Sequence, residues 1–161
     1  LYFELDHRKP SDDTFEDVNN LSKFFKYAID QNNKNTNKLK IGFCLDTAHL
    51  WAMGVSFEKK ENVENWLENL ERELEKKNIS YLLNYDFYTL IHLNDSSAIF
   101  GRGKDVHSEL GNQIWYNEKS GLEKLIDISI EKNWPIILER HKNLLKNDYI
   151  LLNKMNYFID Q

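Results

Sequence analysis

The chain has 161 residues, 41% hydrophobic and 13% aromatic, and a formal net charge of −5. That length suits a single domain, 1–161, with a buried core, and that composition excludes wholesale disorder. The acidic balance excludes nonspecific coating of nucleic acid, though bound divalent cations would reverse the local field and leave a metal-dependent DNA enzyme open.

In chain order, Leu1-Tyr2-Phe3 reads as a strand ending at Glu4. Phe15, Val18, Leu21, Phe25 and Ile29 then fall on one helical face, with Thr14 and Asp17 spaced for a capping box. Residues 32–37 form a polar turn. Ile41 to Leu45 is a second strand, ending at Asp46, and Val63, Trp66, Leu67, Leu70 and Leu74 mark a second helix. Tyr88 to Ile91 is a third strand, ending at His92, and a Gly-rich loop over 95–114 follows it. Leu122, Leu125, Ile126 and Ile130 mark a third helix. Pro135 to Leu138 is a fourth strand, ending at Glu139, and Leu145, Tyr149, Leu152 and Met155 mark a fourth helix.

Strands that are apolar throughout, rather than alternating, indicate a parallel sheet covered on both faces. The pattern is α/β, with βα repeated four times. A (β/α)8 TIM barrel needs eight strands and typically about 250 residues, and its active site lies at the carboxyl ends of the strands. The expectation is therefore about four βα units of such a barrel, the C-terminal half, with exposed strand edges to be covered. No apolar run approaches the roughly 20 residues of a membrane span. Cys44, the single cysteine, excludes an internal disulfide and fits a reducing compartment, so an intracellular, unsecreted protein is expected.

Each strand end carries a residue that can ligate a cation. Glu4, Asp46, His49, His92, Asp105, His107 and Glu139 offer imidazole and carboxylate donors, a set suited to zinc or manganese. Each also has a plainer role. Asp46 could cap the following helix, but that leaves His49, three residues on, unexplained. His92 could be a hydrogen-bonded core histidine, Asp105 and His107 a solvated loop, and Glu139 a partner for Arg140. It is the recurrence at four strand ends that favours a metal site.

Phe-Cys-Leu-Asp-Thr-Ala-His at 43–49 with Trp51 and Gly54, His-Leu-Asn-Asp-Ser at 92–96, Gly-Lys-Asp-Val-His at 103–107 and Ile-Leu-Glu at 137–139 occur in the order seen in the endonuclease IV family. The chain resembles that family from Glu4 to about Arg140, in a form similar to that of large DNA viruses. The resemblance implies a (β/α)8 barrel with up to three zinc ions. It implies an endonuclease that cuts double-stranded DNA 5′ to an abasic site in base-excision repair. Glu4 would bridge two metals, and Asp46, His92 and Glu139 would complete one of them. His49, Asp105 and His107 would form a third site. The remaining metal would need two histidines from an N-terminal half that this chain does not contain. Glu4 and Glu139 would be catalytic, and Arg102, Gly103 and Lys104 would meet DNA phosphates.

Two departures bear on DNA contact. Val106 stands where the family usually has Arg, and Leu110-Gly111-Asn112-Gln113 replaces Leu-Gly-Glu-Gly. Ala48 for the family's Cys alters no ligand. Two alternatives compete: a xylose-isomerase-like sugar isomerase or epimerase, which would not need the His49, Asp105 and His107 group, and a barrel fragment with no turnover.

Overall fold

A computed structural model describes residues 1–5, 18–84 and 86–157. The expected capping box at Thr14 and Asp17, and Phe15, lie outside the described residues. Strand β1 (Tyr2–Glu4) leads to helix α1 (Val18–Asn33), then β2 (Gly42–Asp46) and helices α2 (Thr47–Met53), α3 (Lys60–Glu75) and α4 (Tyr81–Asn84). Strand β3 (Thr89–His92) follows, then a short antiparallel ribbon of β4 (Asp95–Ser96) and β5 (His107–Ser108). Helix α5 (Ser120–Glu131), strand β6 (Ile136–Ile137) and helix α6 (Leu145–Lys154) complete the order.

The strands β1-β2-β3-β6 form one parallel sheet in sequential order. All of β2 and nearly all of β3 are buried, as apolar runs covered on both faces should be. Tyr2 and Ile137, on the edge strands β1 and β6, are exposed. Helix α3 buries Val63, Trp66, Leu67, Leu70 and Leu74, the expected stripe, and packs against α1 and α5. Gly121 is required where α5 starts, because a Cβ there would sit 1.9 Å from the Phe57 carbonyl oxygen.

The expected pattern of four βα units is present, with three local differences. First, a short helix, α2, follows β2 directly, ahead of the expected helix α3. Asp46 caps α2, accepting the amides of Ala48 at 2.8 Å and His49 at 3.1 Å, and Gly54 closes it with φ 101°. Second, the polar turn is shorter than expected, because α1 extends through Asn33. Third, the apolar stripes of α5 and α6 are narrower: Ile130 is 61% exposed and Tyr149 49%, while Asp148 is fully buried. Asp148 turns inward because Arg140 waits there, with Nε 2.7 Å from its Oδ2.

Register decides which side chains share a face. Paired residues of parallel strands point the same way, and alternate residues of one strand do too. Glu4 pairs with Cys44, two before Asp46; Asp46 pairs with His92; His92 pairs with Ile137, two before Glu139. So Glu4, Asp46, His92 and Glu139 lie on one face, at the carboxyl ends of all four strands.

Candidate metal centre

At that rim, Glu4, Asp46, His92 and Glu139 each place one ligand atom within 4.8 Å of the others. Nδ1 of His92 is the hub: it lies 2.8 Å from Glu139 Oε2, 3.1 Å from Glu4 Oε1 and 3.7 Å from Asp46 Oδ2. Asp46 and His92 are buried, whereas the Glu4 side chain, 41% exposed, forms the lip.

A second group adjoins it, in which Asp46, His49 and His107 also meet within 4.8 Å. Helix α2 places His49 one turn from its Asp46 cap, and strand β5 delivers His107. Nδ1 of His49 lies 2.6 Å from the Leu5 carbonyl, and Nδ1 of His107 lies 3.0 Å from the Glu139 carbonyl. A carbonyl only accepts, so each Nδ1 carries a proton, and each ring in its neutral form turns a lone pair outward at Nε2. Nε2 of His49 faces Asp105 Oδ2 at 3.3 Å, and Nε2 of His107 faces Asp105 Oδ1 at 3.1 Å and Asp46 Oδ2 at 3.5 Å. Lone pairs facing carboxylate oxygens repel unless a cation or proton lies between them. His107 Nε2 and Asp105 Oδ1 are buried without a hydrogen-bond partner. The donor set therefore fits a divalent cation of the zinc or manganese kind.

The electrostatics agree. Burial pulls the His49 imidazole pKa down, but Asp46, the Leu5 carbonyl, Asp105 and Glu4 outweigh it and hold it above the ordinary histidine value. Cys44, which the sequence did not single out as a ligand, joins Glu4 and His92 in a third convergence. Burial, reinforced by Glu4, Asp46 and Glu139, pushes its thiol pKa up to about 12, so it faces the centre as a neutral thiol. Its pairing opposite Glu4 becomes visible only in the β1–β2 register.

The structure thus brings together all seven residues expected from the strand ends. The plainer role of Asp46 also holds: it caps α2 with Oδ1 and turns Oδ2 to the cluster. Arg140 pairs with Asp148, leaving the Glu139 carboxylate free for His92. Arg102 and Lys104 stand apart on the exposed loop between β4 and β5, lining a cleft of about 530 Å³ with Ser97, Ala98, Ile99 and Val106. That loop is pinned to α2: Trp51 Nε1 donates to the Ala98 carbonyl at 2.9 Å, and the Gly101 and Gly103 amides donate to Trp51 and Ala52.

No protein-family profile matches the chain. Sequence comparison finds the "Probable AP endonuclease" of African swine fever virus (isolate Warthog/Namibia/Wart80/1980), 29% identical over 147 residues, covering 88% of this chain and 46% of that protein. The "Probable endonuclease 4" of Halothermothrix orenii is 31% identical over 110 residues, covering 68% of this chain and 36% of that protein. The crystal structure of AsfvAP:AG matches the fold with a TM-score of 0.76 at 26% identity, over 96% of this chain and 52% of that one. This chain is a relative of the endonuclease IV family.

Its fold is of the (β/α)8 TIM-barrel type, and the four strands described are the share this chain supplies. The chain spans about half the length of the AP endonuclease relatives it matches, or less. The motifs that carry the endonuclease IV resemblance are the ones that build the cluster. Of the departures, Val106 is 46% exposed and lines the cleft with Arg102 and Lys104, while the amides of Gly111, Asn112 and Gln113 all bind Asp95. Among the described residues, no helix is long and apolar enough to cross a membrane.

Proposed function

We propose that this chain is the C-terminal half of a zinc-dependent apurinic/apyrimidinic endonuclease, cleaving the DNA phosphodiester 5′ to an abasic site in base-excision repair. One observation carries the reading: three carboxylates and an imidazole at the ends of four parallel strands converge at one rim, and the His49 and His107 rings beside them face carboxylate oxygens. The names of its relatives support the activity, and their greater length supports a second half packed on the edges of β1 and β6. In this reading the chain is one domain that needs its partner half.

When bound, divalent cations supply the Lewis acidity that activates water and neutralises charge on the transferring phosphate. Glu4, 3.1 Å from His92 Nδ1, would be shared between the cation at His92 and a further cation whose other ligands would come from the second half. Asp46, His92 and Glu139 would complete one cation site, and His49, Asp105 and His107 another. The Leu5 and Glu139 carbonyls hold the His49 and His107 rings in the tautomer that ligation needs. Arg102 and Lys104 would take flanking phosphates. The Gly103 amide is committed to Ala52, so Gly103, with φ 66°, serves by presenting its two basic neighbours. Extrusion of the abasic nucleotide costs least where no base is paired.

The His49, Asp105 and His107 group favours this reading over a sugar isomerase, which would not need it. The test is nicking of a duplex carrying one tetrahydrofuran abasic analogue by the full-length protein. Cleavage that survives both chelation and His92→Ala overturns the proposal. These 161 residues alone are expected to give no turnover; full turnover from them overturns the half-barrel part.

A further inference from the structure

Asn94 is fully buried two residues beyond His92, and it is tied to both neighbouring strand ends. Its Nδ2 donates to Asp46 Oδ2 at 2.7 Å, and its Oδ1 accepts the Glu139 amide at 3.0 Å. Its own amide donates to Thr47 Oγ1 at 2.8 Å, and its carbonyl accepts from the same hydroxyl at 2.6 Å. Asp46 Oδ1 is already committed to the amides of α2, so Oδ2 is the oxygen that meets His92 and His107. The Asn94 amide occupies one lone pair of that oxygen and leaves another aimed at the cluster. Through Oδ1 the same side chain fixes the Glu139 main chain. The carboxylate of Glu139 reaches His92, and its carbonyl orients His107.

We propose that Asn94 is a positioning residue for the cation centre, using one carboxamide to set the aim of Asp46 Oδ2, which both groups share, and to fix the Glu139 main chain that serves both. The inference rests on the proposed metal centre. A buried Asn that merely satisfied core polar groups would contribute stability alone; a positioning Asn also changes how the folded protein holds a cation.

The experiment titrates metal-stripped full-length protein with Co²⁺, following the d–d absorption and the affinity by chelator competition. Asn94→Leu is expected to weaken Co²⁺ binding by about 10–100-fold, the usual cost of losing an outer partner of a metal ligand, and to alter the spectrum. Should that variant fail to fold, Thr47→Val loosens Asn94 indirectly and is expected to shift affinity and spectrum the same way, with Thr47→Ser restoring both. Wild-type spectrum and affinity within about threefold, in folded Asn94→Leu or Thr47→Val, overturn the role of Asn94 while leaving the metal centre standing. Wild-type protein that binds no Co²⁺ overturns both.

Discussion

The Nδ1 of His107 stands 3.0 Å from the main-chain oxygen of Glu139. That contact joins the ribbon strand β5 to the end of β6. Because the Glu139 carboxylate also reaches His92 at 2.8 Å, a single residue serves one group with its side chain and the other with its backbone. The two groups are mechanically coupled: a shift of the β6 end disturbs both.

Replacing His107 removes a donor from the second group only. In the full-length protein, His107→Ala is expected to lower cation affinity there by more than about 100-fold, since even outer-partner losses cost about 10–100-fold. Elemental analysis after dialysis against limiting zinc reads the loss as reduced metal content. An unchanged content would remove His107 from the ligand set.

Asp95 organises the loop behind His107. Its buried carboxylate accepts amides from Ser96, Gly111, Asn112, Gln113, Ile114 and Trp115, between 2.6 and 3.4 Å. Asp95→Asn turns an acceptor-only group into one whose NH₂ opposes several donors. A loss of about 3 kcal/mol is expected, because hydrogen bonds to charged groups contribute about 1.5–3 kcal/mol each. Urea unfolding measures the loss, and faster hydrogen exchange at 111–115 locates it.

The Arg140–Asp148 pair is the buried ionic tie of α6. Arg140 also donates from Nη2 to the Leu93 carbonyl at 2.8 Å, and Asp148 Oδ1 accepts the Leu110 amide at 2.7 Å. Burial, more than the Leu110 amide and Arg140 offset, holds the Asp148 carboxyl above the ordinary aspartate pKa. Arg140→Met should cost about 3–5 kcal/mol by stranding that carboxylate, while the double change Arg140→Met with Asp148→Leu should recover much of it. Denaturant midpoints of the two single variants and the double variant decide the matter; losses that simply add would show that the pair is not coupled.

Arg102 and Lys104 are expected to act on DNA through phosphate charge alone. Alanine at either should weaken abasic-duplex binding evenly across sequences and reduce the salt slope by about 1. Binding isotherms at several salt concentrations give the slope. A slope identical to wild type would place these residues off the DNA path.

How much of this was readable beforehand differs by element. The buried strands and α3 were plain, because continuous apolar runs and a 3.6-residue stripe report burial directly. In helix α6 the stripe fails at Tyr149, which is exposed, while the buried Asp148 gives no local sign, since an acid reads as solvent-facing until its buried partner is known. Cys44 and Asn94 carried no signal of their own: a lone thiol and a lone amide have no periodicity.

The sequence by itself determined the strand ends, the donor residues and their order, because residue type and local pattern are properties of the chain. Only the tertiary structure decided that Glu4, Asp46, His92 and Glu139 share one face, that His49 and His107 turn their Nε2 atoms toward carboxylates, and that Arg140 leaves Glu139 for Asp148. Those outcomes depend on strand register and on hydrogen bonds between residues far apart in the chain, and neither is written in any local stretch of it.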